Sequence, residues 1–166
     1  MKKVTATLLA GIIFFILLTI LSKDAYPGSS LYNFKRVYEK GVLFSKSEPP
    51  QKAEYLTQLL DIRLVELQHV YTVNRFFILS SSLRYSATAG EATQYIISNN
   101  LTDKVLPLKM KFEAHKKVIG KMAKEYKDYK GKGDNASFFQ DAVNYADIYQ
   151  NSLDDFCRVN KCNSKS

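Results

Sequence analysis

The chain has 166 residues, of which 46% are hydrophobic and 24% are charged, and its formal net charge is +8. This length and composition fit one packed domain with a short appendage and exclude a disordered or fibrous protein. The sequence contains 11 tyrosines and 10 phenylalanines but no tryptophan. No internal repeat of about 20 to 50 residues is visible, which excludes a solenoid.

An uncharged, largely apolar segment of eighteen residues, Val4–Leu21, follows the basic start Met1-Lys2-Lys3. As an α-helix it would be about 27 Å long, close to the hydrocarbon thickness of a bilayer. The two lysines before it predict a cytoplasmic N-terminus. We therefore predict a single-pass protein of the cell membrane, with a signal anchor at residues 1–22, membrane contact through residues 4–21, and an extracytoplasmic domain at residues 23–166.

Two alternatives for this segment are a cleaved signal peptide and a buried core helix. The candidate cleavage sites, Ile20-Leu21-Ser22 and Lys23-Asp24-Ala25, lack the small-residue pattern of such sites. No cysteine lies near the end of the segment, which excludes a lipoprotein anchor.

The residues after the apolar segment predict a short juxtamembrane helix. Pro27 and Gly28 interrupt the chain, and Leu31, Phe34 and Tyr38 then fall on one helical face. We expect this helix to extend from Leu31 to Phe44. A second helix is expected to begin near Pro49, because proline is favoured in the first turn of a helix.

This part of the chain resembles an extracytoplasmic bacterial family of unknown function, which has a Pro-Gly-x-x-Leu-Tyr-x-x-Lys-Arg-x-x-Glu segment after a membrane anchor. The resemblance covers roughly residues 25–70 and implies an outward-facing helical domain, with no activity, cofactor or partner attached. The family more often has proline where this chain has Asn33. The matching residues are Pro27, Gly28, Leu31, Tyr32, Lys35, Arg36 and Glu39, followed by Lys52, Ala53, Glu54, Arg63, Leu64, Glu66 and Leu67.

Apolar residues spaced three and four apart predict helices through the rest of the chain. From Arg75 to Ile97 the pattern is weaker, although Phe76, Leu79 and Leu83 keep the spacing, and we expect a continuing or kinked helix closed by Ser98-Asn99-Asn100. The predicted buried stripes are Ala53, Leu56, Leu60, Leu64, Leu67 and Tyr71; then Val105, Leu108, Phe112, His115, Ile119, Met122, Tyr126 and Tyr129; and finally Phe139, Ala142, Ala146, Tyr149, Leu153 and Phe156.

The last two predicted helices are joined by a glycine turn at residues 130–135, after which Ser137 and Gln140 have the spacing of a capping box. A short turn between two helices with matching stripes predicts an antiparallel hairpin. The predicted fold is therefore all-α: an N-terminal transmembrane helix, one short juxtamembrane helix, and an up-and-down bundle of about four long helices.

Cys157 and Cys162 are the only cysteines. Outside the cytoplasm a nearby pair is usually oxidised, so we predict a local disulfide at the end of the last helix. Glu66 and His69 have the Glu-x-x-His spacing of di-iron bundles, but a single copy off the apolar stripe indicates solvated side chains. We expect no enzyme activity, no metal and no cofactor.

Ten lysines lie between residues 104 and 132, against three acidic residues. They predict either an ordinary solvated surface or a face that attracts anionic polymers or lipid head groups. The proposed extracytoplasmic location disfavours nucleic acid. The candidate contacts with an anionic surface are Lys109, Lys116, Lys117, Lys124 and Lys127.

Without visible site chemistry, the sequence favours a structural or interaction module that presents a helical surface to an envelope protein or an anionic cell-surface polymer. The alternative is a ligand-binding sensor or carrier whose interior pocket is lined by Tyr71, Tyr126 and Tyr149. A cavity lined by tyrosine hydroxyls would favour the sensor, whereas a filled core with an exposed apolar or basic patch would favour the interaction module.

Overall fold

The computed structural model describes the backbone of residues 2–130 and 134–162, together with the side chains in these ranges other than those of residues 2–7, 10, 127–130, 134 and 135. The described residues form α-helices and one 3-10 turn, with no strand, so the predicted all-α class is confirmed. The chain divides into two compact units, Met1–Ser45 and Lys46–Ser166.

The first unit contains helix α1, Lys2–Ser22, and helix α2, Tyr32–Ser45. The connection between them includes Gly28, whose φ of 98° lies in the left-handed region that favours glycine. The predicted N-terminal helix and short second helix are therefore both present. Helix α2 packs against α1 within this unit.

Among the residues that the structure describes, no helix is both long enough and apolar enough to cross a membrane.

The second unit is a bundle of four long helices: α3, Pro49–Val73; α4, Ile78–Ser98; α5, Thr102–Lys130; and α6, Asp134–Asn160. Pro49 and Pro50 occupy the first turn of α3, where their missing amide hydrogens are not needed. A 3-10 turn, Arg75–Phe77, connects α3 to α4. Asn100, with a φ of 54°, lies in the link between α4 and α5.

Helices α3 and α4 form one hairpin, and α5 and α6 form the other. The hairpins pack with α4 beside α6 and α3 beside α5, and the two helices of each of these pairs run in the same direction. Helix α4 contacts both α3 and α6, and α5 packs mainly on α6. The chain direction alternates from α3 to α6. The pairs that fix these directions are Glu54–Lys104 and Tyr71–Tyr126 between α3 and α5, Ser82–Phe138 and Gly90–Tyr149 between α4 and α6, and Lys109–Asp154 and Lys116–Asp147 between α5 and α6.

Most of the predicted buried stripes form the core. Helix α5 buries every described residue of its predicted stripe, including His115, and α3 and α6 bury most of theirs. Tyr129 lies outside the described side chains. Strict three-four alternation over several turns thus identified the core face of these three helices correctly.

Helix α4 differs from its prediction, because Phe76, Leu79 and Leu83 lie on the outer surface of the bundle. The inward face of α4 combines a few large apolar side chains with small and hydroxyl-bearing ones. These side chains let α4 approach α6 closely, and apolar spacing therefore identified the wrong face. The buried residues of α4 are Ile78, Ser81, Ser82, Tyr85, Ser86, Ala89, Ala92, Thr93 and Ile96.

Two further local predictions are wrong. Helix α6 begins at Asp134, so Ser137 lies inside its first turns and is not a helix N-cap. Glu66, expected in solvent, is buried and paired with the buried guanidinium of Arg63 at 2.6 Å, one helical turn away. A buried pair of this kind is invisible to hydropathy spacing, because each partner alone has the pattern of a surface residue.

Ile78 faces the core and its neighbour Leu79 faces solvent, so substitutions at these two positions test the packing of α4 directly. Ile78→Ala should lower the free energy of unfolding by about 2–5 kcal/mol, because it removes fully buried methyl groups. Leu79→Ala should change it by no more than about 0.5–1 kcal/mol. Chemical denaturation of the full chain in mild detergent measures both, and a larger loss for Leu79→Ala would contradict the observed packing.

Candidate functional site

Phe76, Leu79 and Leu83 form an exposed apolar surface at the end of the bundle where α3 meets α4, here called the distal patch. Their exposed fractions are 88%, 44% and 57%. The patch borders an open groove of about 670 Å³ whose lining also includes Arg75, Arg84 and Phe138. Apolar side chains gathered in one place on a surface mark interaction sites more often than scattered ones do.

The connection between α3 and α4 holds the distal patch in place through Arg75. Its guanidinium donates a hydrogen bond from Nε to the carbonyl oxygen of Tyr71 at 3.3 Å. The same group lies 5.8 Å from the ring centre of Tyr71 and 5.4 Å from that of Tyr126, within cation–π range. Because Arg75 is fixed inward on two aromatic rings, the next side chain, Phe76, projects into solvent.

The stretch of sequence that contains the distal patch carries positive charge only. No aspartate or glutamate occurs between Gln68 and Gly90, a stretch that contains Arg75 and Arg84. Lys121 and Lys124 follow on α5, whose Tyr126 contacts Tyr71 at the same end of the bundle. Glu125 of α5 also lies at this end, where it accepts a hydrogen bond from the Tyr71 hydroxyl at 3.3 Å and pairs with Lys121. The surroundings of the patch therefore carry charges of both signs.

The lysines of α5 pair with acidic residues on both neighbouring helices. Lys104 pairs with Glu54 of α3, and Lys111 pairs with Asp61. The two lysines are seven positions apart in the sequence, and so are the two acidic residues. On the other side, Lys109 and Lys116 contact the acidic residues of α6, which are also seven apart. The contacts on that side are Lys109–Asp154 and Lys116–Asp147.

This repeat explains four of the ten lysines between residues 104 and 132 as a structural device. A seven-residue spacing returns a side chain to nearly the same face of a helix, so the pairs specify one register of α5 against α3 and α6. Each acidic partner is about half exposed. Exposed pairs contribute only about 0.2–1 kcal/mol each, so their main effect is on alignment.

The five lysines predicted to contact an anionic surface therefore divide into groups. Lys109 and Lys116 are held in the ion pairs with α6. Lys117 and Lys124 are exposed, and the side chain of Lys127 lies outside the described residues. Of the four lysines whose side chains the structure describes, two are therefore held in ion pairs and two are exposed.

A chain of polar side chains crosses the bundle at His115. Nε2 of His115 lies 3.1 Å from a carboxylate oxygen of Asp61, and Nδ1 lies 3.3 Å from the hydroxyl of Tyr85. Lys111 also pairs with Asp61. Because a carboxylate only accepts hydrogen bonds, we assign the imidazole proton to Nε2, which leaves Nδ1 to accept from the Tyr85 hydroxyl.

The Tyr85 end of this chain of residues lies in the packed core. Tyr85 is fully buried, so no substrate can reach its hydroxyl. Burial raises the pKa of the Tyr85 phenol, and the Asp61 carboxylate raises it further. Burial lowers the pKa of His115, although Asp61 opposes that shift. Both groups are therefore neutral at pH 7, which suits their place in the core.

The tyrosines proposed to line a sensor pocket are packed against other rings or against backbone. Tyr71 and Tyr126 surround Phe139, with ring centres 5.8 and 6.1 Å from it. Tyr149 lies against Gly90, where an added Cβ would be 2.7 Å from the tyrosine hydroxyl oxygen. None of them lines either of the two described cavities.

Cys157 and Cys162 are joined by a disulfide. It closes the end of α6, where the amide of Cys162 donates to the carbonyl oxygen of Cys157 at 3.3 Å. A cavity of about 220 Å³ beside the disulfide is also lined by Val105 and Leu106 of α5. Within the described part of the chain, no three histidine, cysteine, aspartate or glutamate side chains converge as metal ligands would.

Comparison with known proteins gives no match to a family model, to a curated protein or to a solved structure. The resemblance of residues 25–70 to a family of unknown function therefore stays a prediction.

The lowered pKa of His115 predicts how stability depends on pH. Above its ordinary value of 6.5 the imidazole is neutral in both states; below that value the unfolded chain binds the proton first. The free energy of unfolding should therefore fall as the pH drops through about 6.5 towards 5. Urea denaturation across this pH range should show that the free energy of unfolding depends less on pH in His115→Gln than in the unchanged protein. His69→Gln is the control, and an equal loss of dependence in both variants would contradict the assignment.

Proposed function

We propose that the chain is a membrane-anchored interaction module, in which α1 holds the protein in the cell membrane and the bundle binds an envelope protein outside the cytoplasm through its distal patch. The exposure of Phe76, Leu79 and Leu83 beside an apolar groove is the observation that carries this proposal.

The anchor rests on the sequence and surface of α1. Its described side chains begin at Leu8 and include large apolar groups at least half exposed on all sides of the helix. The described apolar part, Leu8–Leu21, is about 21 Å long, and the charge-free sequence begins four residues earlier. Thr19 and Ser22 donate their hydroxyls to carbonyl oxygens of α1 itself, as an apolar environment requires.

The location outside the cytoplasm rests on two features. Lysines precede the apolar segment at its N-terminal end, which favours a cytoplasmic N-terminus. The disulfide between Cys157 and Cys162 suits an oxidising compartment.

The distal patch suits a protein partner better than a polymer. Attraction to an anionic polymer needs charge alone, whereas three large apolar side chains gain free energy only when a partner covers them. Phe76, Leu79 and Leu83 have the i, i+3, i+7 spacing with which a helix docks against another helix. We therefore propose an amphipathic helix, with its apolar face on the patch, as the partner.

A photoreactive amino acid at Leu83 of the full-length protein, activated in intact cells, tests this function. We expect one protein adduct of defined size that is degraded by protease and reduced in a Leu79→Asp background, because a charged side chain there would disrupt the apolar contact. The matched control is the same amino acid at Val159, which is exposed at the other end of the bundle.

Equal adducts at both positions, or none at Leu83, would contradict the docking role of the patch. A protease-resistant smear at Leu83 would show a polymer partner and overturn the choice of a protein.

A further inference from the structure

Helix α2 has an inverted distribution of polar and apolar side chains. Its outward face includes Phe34, Val37, Tyr38 and Phe44, with exposed fractions of 39%, 60%, 39% and 89%, and Asn33 and Lys40 are exposed along one edge of it. Gly41 completes this face at the same helical spacing. A surface helix in water normally has its polar residues outside and its apolar residues inside.

The inward face of α2 contains the charges. Lys35 is buried, and its ammonium group donates to the carbonyl oxygen of Ala25 at 3.0 Å. It also lies within 6 Å of the ring centres of Tyr26 and Tyr32, in cation–π range. Glu39 is buried as well, 3.8 Å from Arg36. The charged groups of this face are thus turned into the fold of the first unit.

We propose that α2 lies in the interface of the membrane that α1 enters, with the face of Phe34, Val37, Tyr38 and Phe44 turned towards the acyl chains. This inference rests on the proposed anchoring by α1. With 14 residues α2 is about 21 Å long. That is too short to cross a bilayer, but enough to lie along its surface.

Three features favour lipid over a second copy of the chain or another protein. The outward face of α2 belongs to the same compact unit as the exposed apolar surface of α1, so one apolar medium can cover both. Tyr38 lies on the outward face, and tyrosine is enriched at membrane interfaces. Lys23, Asp24 and Lys40 are exposed in the same unit, and the two ammonium groups suit anionic head groups.

The absence of tryptophan from the chain allows a direct test. Phe44→Trp and Phe76→Trp each introduce the only indole, at phenylalanines with exposed fractions of 89% and 88%. The full-length variants are reconstituted in vesicles of phosphatidylethanolamine and phosphatidylglycerol, with and without brominated acyl chains. Alkaline extraction of the same vesicles measures whether α1 is embedded, and circular dichroism checks that the helices are retained.

We expect the indole at residue 44 to emit at shorter wavelength and to lose emission in brominated vesicles, while the indole at residue 76 does neither. Val37→Trp should behave like Phe44→Trp. If residue 44 is quenched no more than residue 76 while the protein resists extraction, the inference about α2 is wrong and the anchor stands. A blue-shifted but unquenched indole at residue 44 would show contact with protein and overturn it. Extraction of the protein by alkali would instead refute the anchor on which the inference rests.

Discussion

The close approach of α4 to α6 is the constraint on which the bundle depends. Serine, alanine and glycine on the inward face of α4 bring the two helices together, and Tyr149 of α6 lies directly against Gly90. Small side chains fill this contact, with Ile78 and Tyr85 as the large buried residues of the first turns of α4, and Leu79 and Leu83 lie on the outer side of the helix. They point outward as the distal patch, so the same packing that joins the two hairpins also creates the surface proposed to bind a partner.

Charge pairing then aligns α5 against α3 and α6. Its lysines meet acidic residues of α3 on one side and of α6 on the other, each series with a seven-residue repeat. A shift of α5 by one turn would separate all four pairs and would also move His115 away from Asp61 and Tyr85. The pairs are partly exposed, so we assign them to register, and the buried apolar stripe of α5 to stability.

The sequence predicted the helices and the core faces of α3, α5 and α6, because large apolar residues recur there at regular helical spacing. The prediction failed where buried positions hold small or polar side chains, and where a helix turns its charged residues inward. The core face of α4 contains Ser82 and Gly90, Glu66 depends on a buried partner, and α2 turns Lys35 inward. The lysine face was predicted from charge alone, which could not show that Lys109 and Lys116 have acidic partners on α6. The distal patch was present in the sequence as Phe76, Leu79 and Leu83, but its spacing indicated a core.

Alanine substitution of two helical glycines tests the α4–α6 contact most directly. At Gly120 of α5 an added Cβ meets nothing within 4 Å, so Gly120→Ala should raise the free energy of unfolding by about 1 kcal/mol. At Gly90 the Cβ would lie 2.7 Å from the Tyr149 hydroxyl oxygen, so Gly90→Ala should lower it, and the loss should disappear in a Tyr149→Ala background. Equal stabilisation by both substitutions would show that α4 does not approach α6 in this way and would contradict the account.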